Sequence, residues 1–278
     1  MSGVLGVCSW SLRPDSPADL VDKIDATGCR AVQLALDPIR RGEWNESETF
    51  DRLASAGVAI RSGMMAMEGE DYSTIDAIAR TGGVRPDATW PINLAAANEL
   101  AEIAARNGIG LVTFHAGFLP HDEGNPERTR MIERLRELAS VFSNAGVRIG
   151  LETGQEDAET LLGVLDELGG RGVGVNFDPA NMLLYGSGEP IRALERLAAV
   201  VVQLHIKDAT RSDAPGAWGA EVPVGTGQVD WESFFDIVCG SLTHADLMIE
   251  REAGEHRVDD ITTARERVKM HLRERSPA

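Results

Sequence analysis

Eight short β-rich runs alternate with amphipathic helical stretches along the whole chain of 278 residues. The runs are rich in Val, Ile and Leu, as buried parallel strands are. Glycine often stands where a helical stretch gives way to the next run, as in SAGV and RNGI. Strands that alternate with helices in this way form a parallel sheet with helical crossovers. The runs occupy residues 4–10, 31–36, 58–65, 110–117, 147–154, 173–178, 200–208 and 245–252.

Eight such units with no linker or composition break predict an α/β fold, a single (β/α)8 TIM barrel domain over residues 1–278. The length agrees, because these barrels run to about 250 residues. An open doubly wound sheet is the main alternative, but no Gly-x-Gly-x-x-Gly leads from the first run into a helix. Segments 68–90 and 208–230 are long for simple connections, so we expect them to lie over the barrel mouth.

The charge of the chain argues against several function classes. Acidic residues number 44 against 27 basic ones, so the net charge is −17. Such a surface repels phosphate backbones and anionic membranes, and we expect neither nucleic acid nor a membrane as partner. We see no secretory signal and no apolar window near the ~18 residues of a membrane span. The three scattered cysteines favour reduced thiols in a cytoplasmic protein. The sequence leaves open whether the protein is a homo-oligomer.

Four polar residues stand at the ends of the last four predicted strands: Glu152, Asp178, His205 and Glu250. Active sites of this fold lie at the C-terminal ends of the strands. Neighbouring strands are about 4.8 Å apart, so four side chains at one level can converge inside the rim.

Three carboxylates and one imidazole in one place would repel one another and would be costly to desolvate unless a cation joined them. An oxygen-rich set with one nitrogen suits a divalent ion such as Mn²⁺, Mg²⁺, Co²⁺ or Zn²⁺. The competing interpretation is a helix cap or an ion pair for each residue. That interpretation explains one polar strand end more readily than four consecutive ones. We therefore predict a site for one divalent metal ion.

The sequences around these residues resemble those of the xylose isomerase-like TIM barrel superfamily. They are LETG with Glu152, NFDPANM with Asp178, LHIKDATR with His205 and MIERE with Glu250. Within the superfamily the pattern is most similar to sugar and sugar-phosphate isomerases and epimerases, including the ketose 3-epimerases. The resemblance implies one metal ion, usually Mn²⁺, held by these four residues, and a small carbohydrate as substrate.

The resemblance also implies that the two glutamates carry the chemistry. One glutamate removes a proton next to a carbonyl and gives a cis-enediolate, and the other returns a proton from the opposite face. Two carboxylates in one site differ in pKa, which leaves one to accept a proton and one to donate it. We therefore expect Glu152 and Glu250 to be the acid/base pair of an isomerase.

Further residues are candidates for substrate binding. The resemblance places a substrate-binding arginine at Arg211, for which a solvated loop charge is the ordinary alternative. His115 ends the fourth predicted strand and faces the mouth, although a core histidine has the same pattern. Lys207 has a place at the rim, where it can pair with an acid or bind hydroxyls. Trp10 and Trp218 are candidates to stack on a sugar ring, or to pack at the rim.

The chain departs from the ketose 3-epimerase pattern at two positions. Asn181 stands where those enzymes have a histidine that contacts substrate, and we expect Asn181 to be a substrate-binding residue. Gln33 stands where an acidic residue is frequent. Asp208 is a candidate for a rim ion pair with Lys207 or for binding sugar hydroxyls. Segment 224–231, VGTGQVDW, resembles the Gly-x-Gly loop near the site. Its amides are candidates to bind an anion.

Three other functions remain as alternatives. A lyase, dehydratase or hydratase acting on keto-sugars or keto-inositols would use the same metal and the same enediolate, followed by loss of water. An endonuclease IV-type nuclease uses a histidine-rich trinuclear zinc site, which this sequence does not provide. A silent sugar-binding barrel would not need two glutamates to move protons.

Overall fold

The computed structural model describes residues 3–170, 172–214 and 216–275. This part of the chain has ten strands: β1 (Leu5–Cys8), β2 (Ala31–Ala35), β3 (Ala59–Met64), β4 (Leu111–Phe114), β5 (Arg148–Glu152), β6 (Val173–Phe177), β7 (Val201–Ile206), β8 (Asp208–Thr210), β9 (Ala220–Val222) and β10 (Asp246–Ile249). It also has eleven α-helices: α1 (Pro17–Thr27), α2 (Asp37–Arg40), α3 (Glu46–Ser55), α4 (Ile75–Thr81), α5 (Trp90–Arg106), α6 (Pro126–Asn144), α7 (Ala158–Leu168), α8 (Pro179–Tyr185), α9 (Pro190–Leu197), α10 (Trp231–Ser241) and α11 (Arg257–Glu274). None of these described helices has the length and apolar character of a membrane span.

Eight of the strands close into a barrel in the order β1-β10-β7-β6-β5-β4-β3-β2. Every neighbouring pair is parallel, from β1 beside β2 round to β10 beside β7. β8 and β9 form a separate antiparallel hairpin. The predicted (β/α)8 barrel is therefore confirmed, and all eight strands point their C-terminal ends to the same mouth.

Alternation along each strand divides the barrel into an apolar outer shell and a polar interior. In β6, Val175 and Phe177 are completely buried under the helices, whereas Asn176 is buried inside the barrel. Helix starts are fixed by side-chain caps, such as Ser16, which accepts a hydrogen bond from the amide of Asp19. Gly28 ends α1 with a φ of 69°, a conformation that glycine adopts without steric cost.

The strands are shorter than the predicted runs. The run 4–10 stops at Cys8 because Ser9–Leu12 turn into a 3-10 helix. The run 200–208 breaks after Ile206, and Asp208–Thr210 pair with Ala220–Val222 as the hairpin β8–β9.

The two segments expected over the mouth have structure of their own. Segment 68–90 contains α4, whose first turn is capped by Thr74. Segment 208–230 contains the hairpin β8–β9, with residue 215 outside the described residues. The outermost residues of the predicted domain, 1–2 and 276–278, also lie outside them.

Candidate metal centre

Four acidic and imidazole side chains meet at the floor of the barrel mouth. Glu152 ends β5, His205 lies in β7, and Asp178 and Glu250 follow β6 and β10 directly. All four are at most 3% exposed. The Nδ1 atom of His205 lies 3.5 Å from Glu152 Oε1, 3.5 Å from Asp178 Oδ2 and 3.3 Å from Glu250 Oε2. One ligand atom from each residue lies within 4.8 Å of those of the other three.

Asp178 is a helix cap and also has a free oxygen. Its Oδ1 accepts hydrogen bonds from the amides of Ala180 at 2.7 Å and Asn181 at 3.0 Å, which caps α8. Its Oδ2 is buried and has no hydrogen-bond partner among the described residues, and the same is true of His205 Nδ1. Buried polar atoms without partners are costly and rare. Both atoms point into the cluster, so a cation bound there would satisfy both.

Lys207 neutralises part of the negative charge. Its Nζ donates hydrogen bonds to Glu250 Oε2 at 2.9 Å, Glu252 Oε2 at 2.6 Å and Asn181 Oδ1 at 3.3 Å. Burial acts against ionisation of Glu250, but Lys207 and His205 outweigh it and hold the pKa of Glu250 well below its ordinary value. Glu250 is therefore an anion at neutral pH.

The pKa values of Asp178 and His205 are shifted by the same neighbouring charges. Burial raises the pKa of Asp178 above its ordinary value, and Lys207 and His205 offset this only in part. Burial alone would lower the pKa of His205, but Glu250 and Glu152 raise it well above its ordinary value. In the absence of a metal ion, a proton on His205 supplies the positive charge that the carboxylates require.

The ring orientation of His205 is fixed from below. Its Nε2 lies 2.8 Å from Gln33 Oε1, and the amide nitrogen of Gln33 donates to Thr113 Oγ1 at 2.7 Å. Because the Gln33 oxygen is only an acceptor, Nε2 carries the hydrogen, and the Nδ1 lone pair of the neutral ring faces the carboxylates. The amide nitrogen of Asn176, also 3.0 Å from Nε2, donates to Glu152 Oε2 at 3.2 Å.

Cys8 lies beside the cluster and forms a second candidate group with His205 and Glu250. Its Sγ is 3.7 Å from His205 Nε2. Burial raises the pKa of Cys8 to about 12, so the group is a neutral thiol at physiological pH. The donors that remain are three carboxylates and one imidazole, a set that fits one hard or borderline divalent cation.

Three other predicted residues contact the two glutamates. Trp10 Nε1 donates to Glu250 Oε1 at 2.7 Å. Asn181 Nδ2 donates to Glu152 Oε1 at 3.0 Å, and His115 Nε2 lies 3.5 Å from the same oxygen. All three also line the cavity above the cluster. The structure thus places these predicted residues between the candidate metal centre and the space open to a substrate.

Arg211 is not brought to this cavity. Its guanidinium donates to the carbonyl of Gly188 and to Glu189 Oε1, the latter at 2.9 Å. It is not among the described residues that line the cavity. The local acidic partner Glu189, just before α9, holds the side chain on the outer rim.

The amides of segment 224–231 bind an anion that belongs to the chain itself. Asp208 accepts hydrogen bonds from the amides of Gly225, Gly227 and Val229 at 2.8 to 3.2 Å, and from Trp231 Nε1 at 3.0 Å. The expected rim ion pair of Asp208 is therefore wrong, because its carboxylate is occupied by this loop. Lys207 pairs with Glu250 and Glu252 instead.

The cavity above the cluster has a volume of about 450 Å³. It is lined in part by residues that the sequence did not suggest: Glu70 and Tyr72 from segment 68–90, and Glu252 after β10. Glu70 accepts hydrogen bonds from the Gly83 amide at 2.9 Å and the Tyr72 hydroxyl at 3.0 Å. No strand periodicity marks segment 68–90, so only its length pointed to the mouth.

Comparison with known proteins identifies the fold family. The family model described as "Xylose isomerase-like TIM barrel" matches residues 21–273. No curated protein matches the chain.

Solved structures share the fold over almost the whole chain. A xylose isomerase domain protein from Planctomyces limnophilus has 29% sequence identity and a TM-score of 0.86, over 91% of this chain and 92% of that chain. A probable 3-DHS dehydratase from Bacillus anthracis has 16% identity and a TM-score of 0.74, over 96% and 98%. A D-allulose 3-epimerase from Methylomonas sp., in complex with D-allulose, has 15% identity and a TM-score of 0.72, over 97% of each chain.

Proposed function

The chain belongs to the xylose isomerase-like TIM barrel family, and on that basis we propose that it is a divalent-metal-dependent isomerase or epimerase of a small carbohydrate. The observation that carries the proposal is the pair Glu152 and Glu250. Both are buried, and each lies within 3.5 Å of the same atom of His205. Glu250 lines the cavity, and Glu152 contacts His115 and Asn181, which also line it.

Glu152, Asp178, His205 and Glu250 would hold the metal ion, with Mn²⁺ as the first candidate and Mg²⁺, Co²⁺ or Zn²⁺ as alternatives. When bound, such an ion polarises a substrate carbonyl and makes the neighbouring C–H more acidic. The free oxygen of Asp178 and the free nitrogen of His205 support this assignment.

The two glutamates would transfer the protons. Lys207 and Trp10 donate hydrogen bonds to Glu250 and keep it ionised, which is the protonation state that a general base requires. Burial acts against ionisation of Glu152, but His115 and His205 outweigh it and lower its pKa. Glu152 would therefore return to carbon a proton that it has first taken up. For the reverse reaction the two roles exchange. Inversion at carbon requires the two groups to act on opposite faces of the substrate.

Deuterium exchange tests this proposal. The protein loaded with Mn²⁺ is incubated in D₂O with a panel of free, phosphorylated and oxidised ketoses, and incorporation is followed by NMR. We expect one deuterium next to the carbonyl of the true substrate. Glu152→Gln and Glu250→Gln should each lower the rate by about 10²-fold or more. Metal content is measured for each variant, because both residues are also candidate ligands.

Glu189→Gln is the matched control. Glu189 pairs with Arg211 on the rim, outside the cavity, so this variant should exchange at the wild-type rate. The proposal fails if no ketose incorporates deuterium, or if Glu152→Gln retains full turnover.

A dehydratase is the second candidate, and Glu70 is the observation that favours it. Burial raises the pKa of Glu70, which lines the same cavity. A cavity carboxyl group with a raised pKa is better suited than an ordinary one to donate a proton to a departing hydroxyl group. This reaction would produce a conjugated carbonyl with a new ultraviolet absorbance. Glu70→Gln should abolish that absorbance while exchange at the neighbouring carbon continues.

A further inference from the structure

We propose that the cavity above the metal centre binds an uncharged carbohydrate with an apolar group at its far end, and that it discriminates against sugar phosphates and sugar acids. The inference rests on the proposed function and specifies its substrate class. The apolar group belongs to a deoxy sugar or to a glycoside. Both present the same chemistry to the wall described below.

The described residues that line the cavity have an excess of negative charge. Among the described residues that line it, four are acidic and one is basic: Asp37, Glu70, Glu250, Glu252 and Lys207. A phosphate or carboxylate group needs free cationic donors, and arginine or lysine usually supplies them. The balance here is negative, so an anionic substituent would enter against the local field.

Lys207, the one basic residue among the described lining residues, is already occupied by hydrogen bonds within the protein. Lys207 Nζ donates to two carboxylates and one amide oxygen, which uses all three of its hydrogens. Arg40 is paired with Asp37 at 3.1 Å and with Glu68 at 3.0 Å. A bound divalent ion would not reverse the balance, because the three carboxylates around it exceed its charge. No free positive group is therefore left for a phosphate among the described lining residues.

Part of the cavity lining is an apolar wall, which we define as Met64, Met65, Leu184, Tyr185 and Trp218. The two methionines come from the end of β3. The other three come from α8 and the β8–β9 connection, which follow β6 and β7. Because β3 lies opposite β7 in the closed barrel, apolar groups face the cavity from both sides. The rings of Tyr185 and Trp218 pack together, with centroids 4.7 Å apart.

Trp218 and His115 each bring one buried polar atom to the cavity lining. Trp218 Nε1 and His115 Nδ1 are buried and have no hydrogen-bond partner among the described residues. An indole N–H is a neutral donor, and a hydroxyl or ring oxygen of a sugar is a suitable partner. An indole donor and an imidazole nitrogen beside an apolar wall match a neutral sugar with an apolar end. The volume of about 450 Å³ is in the range of sites that enclose drug-sized ligands, which leaves room for a substituent.

Binding to the protein loaded with Mn²⁺ tests the inference by isothermal titration calorimetry. The probes are D-fructose, its 6-deoxy analogue, its 6-phosphate, and the methyl and phenyl β-D-glucosides. We expect D-fructose 6-phosphate to bind at least about 10-fold more weakly than D-fructose. We also expect a gain of at least about 10-fold in affinity in one of two pairs: the 6-deoxy analogue compared with D-fructose, or the phenyl glucoside compared with the methyl glucoside. A gain for the 6-deoxy ketose indicates a deoxy sugar, and a gain for the phenyl glucoside indicates a glycoside.

Two variants test whether the apolar wall causes the tighter binding of the apolar probe and whether the cavity charge causes the weaker binding of the phosphate. Trp218→Ala should remove most of the gain for the apolar probe, whereas Trp90→Ala, outside the cavity, should retain it. Glu252→Gln should reduce the penalty for the phosphate, because it removes one negative charge from the cavity and weakens the hold of residue 252 on Lys207. Thermal unfolding of each variant checks that it folds.

Three results would overturn the inference: equal or tighter binding of the phosphate, no gain for either apolar probe, or no binding of any neutral probe at millimolar concentration. Its failure differs from failure of the proposed function. If proton transfer is absent, no sugar exchanges deuterium but the order of affinities stands. If only the substrate class is wrong, exchange occurs with a charged sugar.

Discussion

The interior of the barrel contains two polar layers that differ in how completely they are satisfied. The lower one, here called the amide layer, is neutral and consists of Gln33, Ser62, Thr113, Asn176 and Gln203, all at most 1% exposed. Its members bond to one another: Ser62 donates to Gln203 at 2.5 Å, and Gln203 donates to Asn176 at 3.1 Å. The upper one, the charged layer, consists of Glu152, Asp178, His205 and Glu250. Two of its buried atoms have no hydrogen-bond partner among the described residues.

The contrast shows that burial of polar groups does not by itself indicate a functional site. The amide layer forms two hydrogen-bonded groups, Gln33–Thr113 and Ser62–Gln203–Asn176, and its Gln33 and Asn176 contact His205 and Glu152 above it. The charged layer has more acceptors than donors, and its free atoms converge. A buried set that cannot satisfy itself is suited to bind a ligand from outside, and we propose that this ligand is a divalent cation.

The strongest test of this contrast is Asp178→Asn. Asparagine keeps an oxygen to cap α8 but removes the charge from Oδ2. We expect Mn²⁺ affinity to fall on the order of 100-fold or more, because loss of a ligand should cost at least as much as loss of an outer-shell group. Calorimetry measures the affinity. Thermal unfolding of the metal-free protein should show no loss of stability, since one of several crowded carboxylates has been removed.

Gln33→Leu should have the next largest effect, because Gln33 alone in the amide layer accepts a hydrogen bond from His205. Metal affinity should fall about 10- to 100-fold. Gln203→Leu is the matched control. It leaves Ser62 and Asn176 without their hydrogen bonds to Gln203. The free energy of unfolding should fall by about 1–3 kcal/mol, and metal affinity should fall less than in Gln33→Leu. Equal losses of metal affinity in the two variants would contradict a specific role for Gln33.

Acid should weaken metal binding. The pKa of His205 in the metal-free protein is raised well above its ordinary value, so His205 is protonated at neutral pH and must lose that proton to bind a metal ion. Below that raised pKa, Mn²⁺ affinity should rise about tenfold per pH unit, and above it the affinity should level off. Calorimetry in buffers of different ionisation enthalpy counts the protons released. A flat profile across neutral pH would mean that His205 does not compete with the metal.

Asp208→Asn should have the smallest effect on the charged layer. Its carboxylate holds the loop that begins α10, through three amides and Trp231. We expect a loss of about 1–3 kcal/mol in unfolding free energy, because charge-assisted hydrogen bonds are replaced by weaker ones. Metal affinity should stay within about threefold of the wild type. A larger change in affinity would show that the loop and the charged layer are coupled.

Much of the fold was predictable, because strand periodicity and regular spacing are local properties of the sequence. The same logic placed Glu152, Asp178, His205 and Glu250 at neighbouring strand ends, and the structure brings them together. Their roles remain predictions. The two interpretations of Asp178, helix cap or metal ligand, turned out not to exclude each other, because each uses a different oxygen.

Contacts that depend on loop conformation were not predictable. The ion pair of Arg211 with Glu189 depends on the conformation of the rim loops. The hydrogen bonds from the amides of segment 224–231 to Asp208 depend on it as well. Glu70 reaches the cavity from a segment with no periodic pattern. Trp10 was a candidate to stack on a sugar ring or to pack at the rim, and the hydrogen bond from its indole N–H to Glu250 was not predicted.

Anomalous X-ray diffraction from a crystal grown with Mn²⁺ tests the central claim most directly. The account predicts one strong manganese peak among the four residues of the charged layer, within coordinating distance of Asp178 Oδ2 and His205 Nδ1. A crystal soaked at saturating Mn²⁺ that shows no peak there, or a peak held by other residues, would contradict it.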